Sequence, residues 1–218
     1  MGDIRKEVRA DLQKSGEDVS GRHAAVFLDR DGTINEELHF IRHPDQLVMI
    51  DGAAAAVKTL NDCGFITCVI SNQSGIARGF LTEDDLASIH VRLANELAKA
   101  GAHIDRIYYC PHHPTEGQAP YRIECECRKP KPGMLDTASV ELDIDLTRSF
   151  VVGDRLADIQ AGKNAGARTI LVLTGYGRQA LEELKNITNP QPDCIAEDLP
   201  AAVEFITHTI SRTPLQND

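Results

Sequence analysis

Four short stretches of this chain carry side chains able to do chemistry. "FLDRDGT" sets Asp29 and Asp31 two residues apart, a spacing that turns both carboxylates to one side of an extended backbone. "VISNQSG" ends an apolar run with three small polar donors, Ser71, Asn72 and Gln73. "CRKPKPG" supplies a cationic run containing Arg128 and Lys129, and "VVGDRLADIQAG" carries Asp154 followed by Asp158. Taken singly, an Asp-x-Asp-Gly is equally a surface turn, Asp158 a solvated helix residue and Lys129 a surface lysine. Taken together, the carboxylate pairs suit a hard divalent cation, and the donors and the lysine suit a small anion beside it.

A site of another kind abuts the cationic run. Cys110-Pro-His112 and Cys125-Glu-Cys127 are two short ligand pairs separated by the loop "HPTEGQAPYRIE". Three thiolates and one imidazole match a closed structural zinc site, which leaves no open position for a reacting water. The expected job of this zinc-binding loop is to fix the residue just before Arg128 and Lys129. His113 is a rival imidazole, and His112 mirrors the spacing of the Cys125–Cys127 pair. Cys63, Cys68 and Cys194 lie in or beside apolar runs and are expected as small core residues.

Positioning these groups takes a scaffold. "AAVFL" reads as a buried strand that ends at Asp29, "FITCVIS" as one that ends at Ser71, "IDRIYY" as one leading to Cys110, and "SFVVG" as one leading to Asp154. "RTILVL" and a short "DCIAED" add two more. Helices are expected over "GAAAAVKTLNDCG", stopped by Gly64, and over "TEDDLASIHVRLANELAKAG", with Thr82 as N-cap and Asp85 three residues on. Further helices are expected over "PGMLDTASVEL", "LADIQAGKNAG", "ALEELK" and "LPAAVEFITHTI". Short apolar strands alternating with helices define an α/β fold, a single Rossmann-like domain whose parallel sheet is covered by helices on both faces. Ligands of such sheets gather at the C-terminal strand ends, where Asp29, Ser71, Cys110 and Asp154 all fall. The expected domain spans 23–212, preceded by a polar extension, 1–22, in which "IRKEVRADLQ" could form one helix.

Composition narrows the partners. The 218 residues carry a net charge of −10, with 26% charged and 42% hydrophobic residues. An acidic chain without a basic or aromatic groove argues against nucleic acid as partner. No apolar run approaches the ~20 residues of a membrane span, and the N-terminal stretch lacks the apolar core of a signal peptide. A cytoplasmic monomer with reduced thiols is expected.

The ordered set of Asp-x-Asp-Gly-Thr, Ser-Asn, Lys-Pro and Gly-Asp-x-x-x-Asp, over roughly residues 24 to 175, resembles the haloacid dehalogenase superfamily of phosphohydrolases. The resemblance implies that Asp29 is the nucleophile that forms an aspartyl-phosphate, and that Asp31 protonates the leaving alcohol and then activates water. Magnesium would lie between Asp29, the backbone carbonyl of Asp31, and Asp154, with Asp158 orienting the site. Ser71 and Lys129 would hold the phosphate oxygens. The phrases "SNQSGIARG", "YYCPHHP", "CRKPKPGM" and "VGDRLADIQAG", with the long spacer of the Cys/His loop, look like the D-glycero-D-manno-heptose-1,7-bisphosphate 7-phosphatases, which prepare heptose for bacterial lipopolysaccharide. That likeness implies a phosphorylated sugar as substrate, with Asn72, Arg78 and Arg128 as candidates to hold it. Histidinol phosphate, the substrate of a related branch, is the alternative, and a non-catalytic zinc protein is a third. The stretches 32 to 51 and 110 to 131 are too short for an independent cap domain, so none is expected.

Overall fold

The structure is a computed structural model that describes residues 22–211; the helix expected over residues 4 to 13 lies outside them. Six strands alternate with six helices: β1 (Ala25–Leu28), α1 (Ala53–Asp62), β2 (Ile66–Asn72), α2 (Glu83–Lys99), β3 (Arg106–Cys110), α3 (Gly133–Glu141), β4 (Phe150–Gly153), α4 (Leu156–Ala165), β5 (Arg168–Val172), α5 (Gly177–Leu184), β6 (Cys194–Ala196) and α6 (Leu199–Ser211). The strands form one parallel sheet in the order β3-β2-β1-β4-β5-β6. The chain builds outward from β1 on one side and then returns to its other side with β4. That reversal opens a crevice beyond the C-terminal ends of β1 and β4, the place where open α/β sheets bind ligands.

The period-2 geometry of a strand sends Val26 and Leu28 to one face and Ala25 and Phe27 to the other. The first face packs on α1, α2 and α6. There Leu86, Ile89, Leu93 and Leu97 form a fully buried stripe along α2, each worth roughly 1.5–3 kcal/mol of transfer from water. The second face packs on α3 and α4 through Met134, Leu135, Ala138, Ala161 and Ala165. Apolar side chains on both faces explain why these strands read as unbroken hydrophobic runs.

Helix ends follow their side chains. Thr82 and Asp85 close a reciprocal box at the start of α2, where Asp85 N donates to Thr82 Oγ1 at 3.1 Å and Thr82 N to Asp85 Oδ2 at 2.8 Å. Two expectations need correction. Cys63 is exposed and Cys194 half-buried, whereas Cys68 is in the core; Cys63 caps α1 beyond its last buried turn. The fifth helix starts at Gly177 rather than Ala180, and Gly177 packs against the end of β5 too closely for any Cβ. Between β1 and α1 the described residues hold only a short 3-10 turn at Pro44–Gln46, and between β3 and α3 no helix or strand. Among the described residues no cap domain covers the crevice. No helix among the described residues is long and apolar enough to cross a membrane.

Candidate active site

The crevice contains a cavity of about 310 Å³, lined at its floor by Asp29, Asp31, Ser71, Lys129 and Asp158. Asp29 leaves β1 with its N–H bonded to Val152 O of β4 at 2.9 Å. Lys129 is buried and placed from a distant loop. Its Nζ stands 2.6 Å from Asp158 Oδ1 and 3.0 Å from Asp29 Oδ1, and donates to Ile70 O at 2.8 Å. Burial works against its charge, yet Asp158 and Asp29 outweigh burial and hold its pKa up at about 12. Asn72 clasps the main chain of Lys129 on both sides: Nδ2 donates to Lys129 O and Oδ1 accepts from Lys129 N, each at 3.0 Å. The Asn72 amide is thereby engaged in holding the lysine. Ser71, nearly fully buried, accepts from Gln73 Nε2 at 2.7 Å.

Asp154, fully buried at the end of β4, accepts from Tyr176 N through Oδ2 at 2.7 Å, and its Oδ1 has no protein partner. Burial, with Asp29 and Asp158 close by, pushes its pKa up to about 8. Asp29 is raised to about 7, by burial above all, against the pull of Lys129 and with the push of Asp158 and Asp31. Carboxylate oxygens of Asp29, Asp154 and Asp158 lie within 4.8 Å of one another. Hard oxygen donors, mutual repulsion met by one lysine, and a buried oxygen left free together fit a magnesium ion.

Gly32 makes this geometry possible. Its φ is +80°, and a Cβ there would stand 2.2 Å from Asp154 Oδ2. Gly32→Ala is therefore expected to weaken magnesium affinity about 10- to 100-fold, the usual effect of disturbing a ligand's support. Isothermal calorimetry of magnesium binding checks it, and unchanged affinity would mean that Asp154 does not meet the ion.

Asp31 is not part of that carboxylate cluster, although its charge pushes on Asp29. Arg30, wholly buried, grips it through Nε at 3.1 Å and Nη2 at 2.8 Å, while Asn35 Nδ2 and Gln73 Nε2 donate at 2.9 and 3.0 Å. Burial would raise the Asp31 pKa, but the Arg30 charge and these hydrogen bonds outweigh it and hold the carboxyl below its ordinary value. Neither Arg30 nor Asn35 was expected at the site; an arginine between two aspartates was the available signal.

The Cys/His loop folds onto the same edge. Cys110 Sγ stands 3.5 Å from Cys125 Sγ, Cys127 Sγ stands 3.3 Å from Cys125 Sγ, and His112 Nδ1 stands 3.5 Å from Cys127 Sγ and 3.9 Å from Cys110 Sγ. Zinc bonds of about 2.3 Å to sulfur and 2.0–2.1 Å to nitrogen imply ligand atoms roughly 3.5–3.8 Å apart in a tetrahedron. The four residues fit zinc. His113 is otherwise engaged, its Nδ1 accepting from Glu116 N at 2.9 Å. Gly117 packs on Ala77 O with no room for a Cβ, and Arg78 pairs with Glu116 and stands near the Phe40 ring. Arg78 thus joins two loops and does not line the cavity. Arg128 does line it, with Nη1 donating to His112 O at 3.2 Å, directly from the zinc loop. The cavity wall also includes Glu37, His39 and Arg155, none of them singled out by spacing, because loop residues carry no periodic pattern.

A parallel sheet with an Asp-x-Asp-Gly turn after β1, a serine at the end of β2, a buried lysine and a carboxylate pair after β4 defines a HAD-like hydrolase. The family described as HAD-hydrolase-like matches residues 126–202. The chain is similar to a D-glycero-D-manno-heptose-1,7-bisphosphate 7-phosphatase of Thermosynechococcus vestitus, 47% identical over 193 residues, covering 86% of this chain and 98% of the relative. It is similar to the D-glycero-beta-D-manno-heptose-1,7-bisphosphate 7-phosphatase of Escherichia coli K12 at 41% over 180 residues, covering 83% and 93%. Among solved structures, a D,D-heptose 1,7-bisphosphate phosphatase from B. bronchiseptica, complexed with magnesium and phosphate, superposes with a TM-score of 0.76 at 35% identity, covering 85% of this chain and 99% of that one. The chain belongs to the D-glycero-D-manno-heptose-1,7-bisphosphate 7-phosphatase family of phosphoric monoester hydrolases.

Proposed function

We propose that this chain removes the C7 phosphate of D-glycero-D-manno-heptose 1,7-bisphosphate through an aspartyl-phosphate on Asp29. The observation that carries the chemistry is the buried Lys129, held against Asp29 and Asp158 at the floor of a cavity that has Arg128 and Arg155 in its wall. Magnesium, held by Asp29, Asp154 and the main-chain carbonyl of Asp31, would screen the charge of the phosphate from the carboxylates. Lys129 and the Ser71 hydroxyl bind the phosphate oxygens, and Asp29 attacks phosphorus in line with the ester oxygen. As that P–O bond breaks, the sugar oxygen takes a proton from Asp31. The phosphate's negative charge beside Asp31 favours the protonated acid needed for this step. Once the sugar leaves, Asp31 is a carboxylate again, the state favoured by Arg30, and takes a proton from the water that attacks the phosphoaspartate. Phosphate departs and Asp29 is restored.

The second phosphate of the substrate calls for cations, and Arg128 and Arg155 supply them. The same pair disfavours histidinol phosphate, whose amine and imidazole bring positive charge. Arg78 serves the site through Glu116 and the loops it joins, and Asn72 through Lys129. The thiol-rich knot suits a reducing cytoplasm, and the substrate suits a place in heptose supply for lipopolysaccharide. The test is phosphate release, with magnesium, from both anomers of the heptose bisphosphate, histidinol phosphate and p-nitrophenyl phosphate. A kcat/KM for one heptose anomer at least about tenfold above the others is expected, and a preference for histidinol phosphate would overturn the assignment.

A further inference from the structure

We propose that Tyr176 is a positioning residue that ties the metal ligand Asp154 to two side chains at the cavity mouth, His39 and Arg155, and so sets the preference for a substrate with a second anion. The inference rests on the bisphosphate assignment above. It starts from a residue that does not itself line the cavity, although both of its side-chain partners do.

Three independent contacts converge on Tyr176. Its N–H donates to Asp154 Oδ2 at 2.7 Å. Its ring lies beneath the Arg155 guanidinium, whose central carbon stands 3.7 Å from the ring centroid. Its hydroxyl stands 2.5 Å from His39 Nδ1. The loop that carries it is anchored to the Asp-x-Asp-Gly turn by Thr174, which donates from Oγ1 to Gly32 O at 2.6 Å. The tyrosine is therefore fixed by its main chain at the metal site and reaches to the mouth with its side chain.

Both partners need this support. The Arg155 side chain is half exposed, and its ion pair with Glu37 is long, at 3.4 Å. An arginine so placed would sample many rotamers in water. The tyrosine face restricts it to one direction, toward the cavity, by cation–π attraction. His39 has φ +63°, unusual for a residue with a Cβ, and its N–H donates to Glu37 Oε1 at 2.5 Å. The Tyr176 hydroxyl bond and this one hold the loop after β1 in that conformation. Tyr176, His39, Glu37 and Arg155 form a clasp across the mouth, fastened at its base to a metal ligand. Substrate that fills only the floor does not engage the clasp; substrate with a second phosphate does.

The test uses Tyr176→Phe, which keeps the ring and loses the hydroxyl, and Tyr176→Leu, which loses both. Steady-state kinetics are measured on the heptose bisphosphate and on p-nitrophenyl phosphate. For Tyr176→Leu the KM for the bisphosphate should rise about tenfold and for Tyr176→Phe about threefold, with kcat changed less than KM. The corresponding losses on p-nitrophenyl phosphate should be much smaller. Adding Tyr176→Leu to Arg155→Ala should cost no more than the about threefold that belongs to the hydroxyl, because the ring acts through the arginine. Equal losses on the two substrates, or losses that multiply in the double variant, would overturn the proposal, and Tyr176→Phe decides alone should the leucine variant not fold. A wild-type enzyme without preference for the bisphosphate would instead overturn the substrate assignment.

Discussion

Asp29→Asn should lower magnesium-dependent phosphate release by on the order of 10³-fold or more, because the proposed aspartyl-phosphate cannot form without the carboxylate oxygen. The same change should leave the metal-free protein at least as stable as wild type. Asp29 sits among Asp31, Asp154 and Asp158, and its pKa is raised to about 7. A folded-state pKa above the ordinary carboxylate value means that the ionised form is the disfavoured one. Stability falls as pH rises from about 4 through 7, and above pH 7 the cost is fully present. Asparagine removes that charge and leaves Lys129 paired with Asp158 at 2.6 Å. Magnesium should raise the melting temperature of wild type, as any ligand of the native state does, and raise that of Asp29→Asn less. Phosphate release and thermal melts with and without magnesium check both halves. An Asp29→Asn enzyme within tenfold of wild type would remove Asp29 from the chemistry, whereas an inactive variant that melts early would leave its role as structural.

Most of the scaffold was legible because its strands are apolar on both faces and its helices carry their own stops. Thr82 with Asp85 and the glycine at 64 mark ends that the structure places within a residue or two. Strand order was not legible. Alternation of strands and helices implies a parallel sheet, but which strands neighbour β1 depends on how the crossovers pack, and that information is spread over the whole core. Cys63 was misjudged for a local reason: an apolar run says that a helix is buried on average, not that its capping residue is.

The site divides along the same line. Asp29, Ser71 and Asp154 stand at strand ends, so the fold that orders the strands also gathers them. Lys129 comes in from a loop and is held by Asn72 and Ile70, contacts with no signature in its own neighbourhood. Arg78 shows the limit most clearly. It has the charge of a substrate ligand, yet its partner Glu116 lies in a loop that only the tertiary fold brings close. Arg30, Arg155 and Tyr176 were invisible for the same reason: long side chains choose partners by geometry rather than by spacing.

Cys125→Ser should cost about 10- to 100-fold in kcat/KM on the heptose bisphosphate and much less on p-nitrophenyl phosphate. The two cations beside the knot are held in different ways. Lys129 has four anchors that do not involve the thiols: both faces of the Asn72 amide, Ile70 O and the Asp29–Asp158 pair. Arg128 has its Nη1 bond to the carbonyl of His112, itself a member of the ligand cluster. Replacing one thiolate by a hydroxyl should open the proposed zinc site and weaken its hold on the metal. His112 then moves, Arg128 loses its direction, and a displacement of about 1 Å in a positioning group costs on the order of 10²-fold in rate. Lys129 stays, so the floor of the cavity still meets a simple phosphate ester. Wild type should hold about one zinc per chain by elemental analysis, and the variant should hold less and melt earlier. Lys129→Ala supplies the contrast, with comparable losses expected on both substrates because the proposed mechanism puts it on the transferred phosphate. Equal losses of Cys125→Ser on the two substrates, with the fold intact by circular dichroism, would show that the knot supports the whole site rather than Arg128.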